Sequence, residues 1–426
     1  MREVEVLILG AGLAGLGAGV EAQRLGRDSL ILEAAPTAGG LCRGITIAGC
    51  MFDRYGPKVI VERESSQELV QLLGADASRH ELHEVVHLSG LGLIGFPVQR
   101  HLVELPPADR ETVLKEISIA RSEPGEVRNY REWLLSSYGP YLCEKVLFPY
   151  EEKKWQMPLS DMDYRWALER PVAVDLKEVL EGAERKLPPS RTYFYPREGN
   201  LSGLVGLLAE RAGPIRHSSP VTGIDPGRKT VSAGGETYRY EHLISSLPLD
   251  KAVGMTAGFD TDLAARTRSL LKWLSVRVHN LVFEGTTPLV GDAVYFPEPS
   301  VGFRRVAVLQ NLCPALPAQG LTAVSVEVAM GRGERTTPEQ ELGEVVEQLL
   351  TIPQFSTFGP LLESDSVDIA EAYPLQRDGL REHVPLLTRM YQQWDIWHCG
   401  RAGTFNYCDM DVAYQQGRRA VRLAVT

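Results

Sequence analysis

The chain opens on a mostly apolar run, Val4 to Leu9, which stops at Gly10-Ala-Gly12-Leu-Ala-Gly15 and gives way to a helical stretch ending near Gly26. A second run, Ser29 to Leu32, ends on Glu33. Strand, Gly-x-Gly-x-x-Gly turn, helix, strand and acidic residue at this spacing predict a dinucleotide-binding βαβ unit. Gly10 permits the tight turn, Gly12 lets backbone approach a pyrophosphate, and Gly15 lets helix and strand pack closely. The helix N-terminus then faces the phosphates, and Glu33 is placed to accept hydrogen bonds from ribose hydroxyls.

Beyond this unit the periodicity changes repeatedly. Gln67 to Leu73 reads as a short helix, and His87 to Val98 as strand with glycine punctuation. Helical signals dominate from Pro106 to Leu187. Pro106-Pro107-Ala108-Asp109 starts a helix over Arg110 to Ala120, and aromatic-rich helical stretches cover Tyr130 to Tyr138 and Tyr141 to Trp155. A helix over Leu201 to Arg211 is followed by short strands to Ile244. Alternating segments from Leu274 to Met330 predict an antiparallel sheet, Pro338 to Leu350 a helix, and Val412 to Leu423 an amphipathic helix. The expected fold class is α/β. A discontinuous Rossmann-like domain (1–95, 191–250 and 366–426) carries a helical insertion (96–190) and an antiparallel sheet domain (251–365).

Composition narrows the class. A chain of 426 residues with 44% hydrophobic content supports two or three packed domains. The first residues lack a leader pattern, and no run reaches transmembrane length. Cys42, Cys50, Cys143, Cys313, Cys399 and Cys408 show neither metal nor disulfide spacing, which suggests reduced thiols in a cytoplasmic protein. A net charge of −10 argues against nucleic acid as a partner, but leaves room for an anionic small molecule clamped locally by arginines.

Further motifs point to one cofactor. Gly39-Gly40-Leu-Cys-Arg43 is followed by Phe52-Asp53-Arg-Tyr-Gly56-Pro57, and Cys399-Gly400-Arg401-Ala-Gly403 leads to Asp409-Met410-Asp411. This arrangement resembles the FAD-binding fold of the amine oxidase and protoporphyrinogen oxidase group. The resemblance implies FAD, held by Gly10, Gly12, Gly15, Glu33, Gly39, Gly40, Arg43, Gly56, Pro57, Gly400, Arg401, Asp409, Met410 and Asp411. It also implies that the last helix aims its N-terminus at the flavin ring, where a positive helix end stabilises reduced flavin.

The middle of the chain is similar to UDP-galactopyranose mutases in ordered patches. These are Phe96-Pro-Val-Gln99, Phe148-Pro-Tyr-Glu-Glu-Lys-Lys-Trp155, Trp166-Ala-Leu-Glu-Arg170, Tyr295-Phe-Pro-Glu298, Phe303-Arg-Arg305, Asn311 and Ala372-Tyr373-Pro374, with Tyr407 in the tail. That family is thought to use reduced flavin as a covalent nucleophile at a sugar's anomeric carbon, with no net redox change. The likeness implies a nucleotide-sugar substrate, with NAD(P)H or another donor as reductant. Arg170 and Arg305 become the diphosphate clamp, and Tyr295, Tyr373 and Tyr407 hydroxyl donors to phosphate. Gln99 reads the uracil edge, and Phe96 and Asn311 join the substrate site. Arg304 is expected on the opposite strand face from Arg305.

The chain also departs from that family. Pro57 stands where a flavin-side histidine is usual, Phe96 replaces a tyrosine, Arg100 an asparagine, and Asn200 follows Gly199 where a second glycine is usual. These changes are expected to lie in the substrate cavity. They support an alternative, an FAD oxidoreductase of the amine oxidase or desaturase type; a flavin-fold binding protein without catalysis is a third reading. His83-Glu-Val-Val-His87 matches a zinc-protease pattern, but in a strand its histidines are too far apart for one metal ion. Trp155 and Trp166 are expected as core or pocket wall, Cys42 as a small filler, and Glu151 to Lys154 as a solvated helix face.

Overall fold

Strand β1 (Arg2–Leu9) is buried from Val6 onward because it lies between parallel neighbours, β2 (Ser29–Leu32) and β3 (Glu236–Ser245). A strand covered on both faces needs an unbroken apolar run, which Val6-Leu7-Ile8-Leu9 supplies. The computed structural model describes residues 1–426 except 123–124, 198, 287–288, 313–319 and 332–335. Its first sheet runs Ile215–Arg216, β2, β1, β3, Thr230–Ala233, Val221–Asp225, with Ile396–His398 also paired to β3. Three distant parts of the chain therefore complete one Rossmann-like sheet, as expected for this α/β class.

The opening helix, Leu13–Arg24, lies against the closing helix, Met410–Val425. Their backbones approach so closely that a Cβ on Gly417 would stand 1.8 Å from the Ala14 carbonyl oxygen, and one on Gly17 2.4 Å from that of Tyr414. Beside this contact the fully buried Glu21 accepts hydrogen bonds from Arg24 of its own helix and from Arg418 and Arg422 of the other. Burial pushes the Glu21 carboxyl up, but the three arginines outweigh it and hold its pKa at about 2.

The second sheet contains β4 (Trp273–Glu284), β5 (Arg305–Val308), β6 (Leu321–Met330) and β7 (Leu361–Pro374). Its order is β7, β4, β6, β5, Ala293–Tyr295, Glu84–Leu88, Gly92–Gly95, antiparallel throughout except where Ala293–Tyr295 meets Glu84–Leu88. Two expected boundaries shift. The end of segment 1–95 forms a hairpin over Glu84–Leu88 and Gly92–Gly95 that joins this sheet, because its edge pairs with Ala293–Tyr295. Likewise β7 is not the return to the first domain expected from 366, since its residues to Pro374 pair with β4.

The insertion is helical, with helices at Pro107–Ser122, Tyr130–Leu142 and Phe148–Trp155. Asn129 caps the second by accepting from the Glu132 N–H. Gly139 leaves helical geometry just before Pro140, which cannot donate a backbone hydrogen bond. A π-helical turn over Cys143–Leu147 then leads into Phe148–Trp155.

The Glu21 cluster makes stability depend on acid. Its folded pKa lies below the ordinary 4.5, so its contribution is complete above that value and is lost as pH falls toward about 2. Glu21→Gln should lower stability at neutral pH by about 2 kcal/mol and flatten the decline between those pH values, as measured by urea unfolding across a pH series.

Candidate functional site

The glycine turn is held from both sides. Gly10 donates to the Leu32 carbonyl at 2.8 Å, and Gly39 to the Ala11 carbonyl at 2.8 Å, so the second glycine pair lies against the first. Glu33 accepts from the Ala11 N–H at 2.7 Å and the Ala35 N–H at 2.8 Å, fixing its carboxylate at the end of β2. A Cβ on Gly15 would stand 1.8 Å from the Gly10 carbonyl oxygen, whereas one on Gly12 would meet only the Gly40 Cα, at 3.9 Å. The protein itself therefore has room for a side chain at Gly12, which fits a slot kept clear for a ligand. Arg43 is spent internally, donating to the Gly40 carbonyl and the Tyr55 hydroxyl. Gly400, at the start of the short helix Gly400–Gly403, faces Ala14 of the opening helix.

A cavity of about 470 Å³ lies between the Rossmann-like sheet, the insertion and the second sheet. Nine Lys and Arg side chains line it against five carboxylates, a positive interior within a chain of net charge −10. It brings together Phe96, Arg170, Tyr295, Arg305, Tyr373, Tyr407, Pro57, Arg401, Asp409 and Met410, the last two at the N-terminus of the closing helix. That helix start has no side-chain cap. Asp411, fully buried, instead accepts from Arg63, which also binds Asp409 at 2.7 Å.

Arg305 does not stand alone. In the register of β5 against β6 it pairs with Glu327, and both Arg304 and Arg305 donate to the Glu327 carboxylate. Burial would raise the Glu327 carboxyl, but the two guanidinium groups hold its pKa at about 2. Arg304 lines the cavity with Arg305, which corrects the expectation that it faces away: it precedes the paired residues of β5, where strand alternation does not govern it. Arg170 lies 4.1 Å from the centre of the Tyr407 ring and 3.5 Å from Asp409.

The three tyrosines divide. Burial raises the Tyr373 hydroxyl pKa, but Arg304, Arg305 and Arg401 outweigh it, and the net shift is below the ordinary tyrosine value. Burial, with Tyr373 nearby, pushes Tyr407 up to about 12. Tyr295 is committed, since its hydroxyl donates to Glu84; its expected role as a free donor to phosphate does not match this geometry. Phe96 packs tilted against the Tyr295 ring, with centroids 4.3 Å apart. Gln99 is fully buried, donates to the Val172 carbonyl at 3.3 Å and lies behind the cavity wall. Asn311 donates to the carbonyls of Leu289 and Gly291 and also stands outside the lining. Among the departures, Phe96, Pro57 and Arg100 do line the cavity, but Asn200 is buried and bonded to the Phe52 carbonyl at 2.7 Å.

Several lining cations were not legible as site residues, Lys58 and Lys154 among them. Lys58 lines the cavity and donates to the carbonyls of Tyr55 and Gly56 at 2.7 Å each. Burial pulls its ammonium below the ordinary lysine range. Lys154 also lines the cavity, beside the buried Glu151, which accepts the Trp155 indole N–H at 2.7 Å. The solvated face expected for Glu151 to Lys154 is therefore corrected at these two positions, because the helix turns them against the second sheet. The aromatic spacing around Phe148 and Trp155 was the available signal for that burial. Trp155 is core and Trp166 is cavity wall; Cys42 is buried and burial pushes its thiol up to about 12. His87 lies in strand Glu84–Leu88, 3.5 Å from Glu298, with His83 just before that strand.

Residues 8–75 match the NAD(P)-binding Rossmann-like domain family. Over whole chains, this structure superposes on reduced UDP-galactopyranose mutase with a TM-score of 0.91 at 22% identity, covering 100% of this chain and 95% of that one. The fold is the one these mutases and their oxidase relatives share. A putative protoporphyrinogen oxidase from Exiguobacterium sp. 255-15 gives 0.76 at 16% identity, covering 100% and 99%. Cyclohexylamine oxidase from Brevibacterium oxydans IH-35A gives 0.71 at 14%, covering 99% and 98%. The resemblance read from the sequence motifs is thus present in the three-dimensional fold.

Because Glu327 is shared, Arg304→Ala and Arg305→Ala should each lower pyrophosphate affinity at least about tenfold, the loss expected of one charge-assisted contact. Titration calorimetry checks this; an Arg304→Ala protein that binds like wild type would show that Arg305 holds its place without it.

Proposed function

We propose that the protein is an FAD-dependent nucleotide-sugar pyranose–furanose mutase. The observation that carries this reading is the convergence of Arg170, Arg304 and Arg305 with Tyr373 and Tyr407 in one cavity, beside the uncapped helix start at Asp409. When bound and reduced, FAD supplies a nucleophile for the sugar's anomeric carbon. The chain's own residues do the rest by binding and orientation. The slot between Gly12 and Gly40 takes the FAD pyrophosphate, and Glu33 the ribose. Arg170 and Arg305 neutralise the leaving diphosphate, where guanidinium geometry suits two phosphate oxygens at once. Tyr373, with its pKa lowered, donates a hydroxyl hydrogen bond there, and Tyr407 supports Arg170 through its ring. Phe96, Tyr150 and Trp166 wall the cavity and exclude water from the transferred sugar.

Activity should appear only after reduction. The protein treated with dithionite should interconvert pyranose and furanose forms of at least one UDP, GDP or dTDP hexose, and the oxidised protein should not, as read by product chromatography. Equal turnover by oxidised protein, or none with any sugar by reduced protein, would sink the reading.

A second reading, net oxidation of a small molecule, draws on Pro57, which stands where the mutase family has a histidine beside the flavin, and on the altered cavity around it. Bleaching of oxidised flavin by substrate alone, with colour restored by oxygen, would favour it. Both readings require FAD. Gly12→Val should fold with an unchanged circular dichroism spectrum but purify colourless, because its side chain enters the slot and not the protein's own packing. A yellow variant with full FAD content would remove the basis for either.

A further inference from the structure

Outside the inner cavity lies a second one of about 380 Å³, which shares Arg63, Trp166, Arg170, Tyr407 and Asp409 with it as a common wall. Neither reading above assigns it a role. Five arginines line it: Arg63, Arg165, Arg170, Arg377 and Arg381. The carboxylates in its lining are Asp163 and Asp409, and both are engaged. Asp163 takes Arg165 at 2.9 Å, while Asp409 takes Arg63 and lies near Arg170. Arg377 donates to the Ser269 carbonyl at 3.4 Å, and neither it nor Arg381 has a carboxylate partner among the described residues.

The backbone adds to this charge. Arg381 stands in the first turn of the helix Leu380–Gln393, whose Gly379 N-cap offers no side-chain acceptor. Leu380 and Arg381 of that turn line the same space as the other arginines, and a helix N-terminus favours an anion, although Glu382 shares the turn. The wall is fixed as well, because Met162 bridges to Arg377 and the Asp163 N–H donates to the Gln376 carbonyl at 2.9 Å. Five guanidinium groups against two carboxylates exceed what one carboxylate ligand would neutralise. Guanidinium pairs match phosphate oxygens in a bidentate manner.

We propose that this outer cavity is a second anion site, which binds a phosphate or diphosphate group on the far side of Arg170 from the inner cavity. A phosphate seated there competes with Asp409 for Arg170, so occupancy of the outer site is felt at the inner one through a shared side chain. The assignment does not depend on the mutase reading, because it is tested at Arg377 and Arg381, which that reading does not use; of the arginines it does use, Arg170 alone lines both cavities.

The experiment is titration calorimetry of inorganic pyrophosphate into the protein as purified, with malonate as a dicarboxylate control. Two binding equivalents are expected. Arg377→Ala/Arg381→Ala should weaken one of them at least about tenfold and leave the other, while Arg305→Ala should do the reverse. Arg381→Glu, a change at an exposed side chain, should abolish the same equivalent with unchanged thermal unfolding, which separates lost binding from lost folding. Malonate should bind the outer site more weakly than pyrophosphate. The proposal is overturned if pyrophosphate binding is the same in wild type and Arg381→Glu, if Arg305→Ala alone removes all binding, or if malonate binds the outer site as tightly. Loss of the inner equivalent alone would count against the mutase reading and leave the outer site standing.

Discussion

The contact between the opening and closing helices is what the rest of the molecule depends on. Gly17 and Gly417 allow two backbones to touch, and Glu21 gathers three arginines around that contact. Two features of the proposed cofactor site hang from it. The glycine turn precedes one helix, and Asp409 and Met410 begin the other. A shift of either helix would move the slot at Gly12 and the floor of the inner cavity together, since interiors at native density transmit displacement.

Within the cavity, an excess of positive charge is made tolerable by sharing. Burying several guanidinium groups is costly unless each finds an acceptor. Glu327 serves Arg304 and Arg305, Asp409 serves Arg63 and Arg170, and backbone carbonyls serve Lys58 and Arg401. Each cation is thus held in place before any ligand arrives, yet the carboxylates lining the cavity are fewer than the cations. That imbalance would attract an anion such as the proposed phosphate, and the prior fixing of the side chains means little ordering would remain to be done on binding.

What the sequence made legible is what is local. The opening βαβ unit is readable because turn, helix and acidic residue follow within a few dozen positions, and Gly10, Gly12 and Gly15 each answer to a backbone requirement. The ordered patches around Arg170, Tyr373 and Tyr407 led to residues that do share a cavity. Where the reading went astray, long-range register decided. Arg304 converges on Glu327 just before β5 begins, where its own N–H donates to the Glu327 carbonyl, which no spacing near Phe303 discloses. Tyr295 is drawn to Glu84 by a hairpin about 200 residues earlier, and the same pairing moves that hairpin out of the first domain. Lys154 and Glu151 look like surface charges until the helix carrying them is laid against the second sheet. Gln99 and Asn311 carry amides that satisfy backbone carbonyls nearby, a use that leaves no sequence signature.

The interlocked helices also bear on how the protein is made. As the chain leaves the ribosome, the glycine face of the opening helix emerges some 400 residues ahead of the helix that covers it. Domains commonly fold during synthesis in order from the N-terminus, but here the first domain stays incomplete until residues 410–425 exist. Through most of translation its sheet lacks Ile396–His398 and its opening helix lacks the Met410–Val425 helix. The nascent chain therefore carries an apolar seam that stays open until the helix Met410–Val425 is made, so its need for chaperone protection is set by the length of the interval between the two.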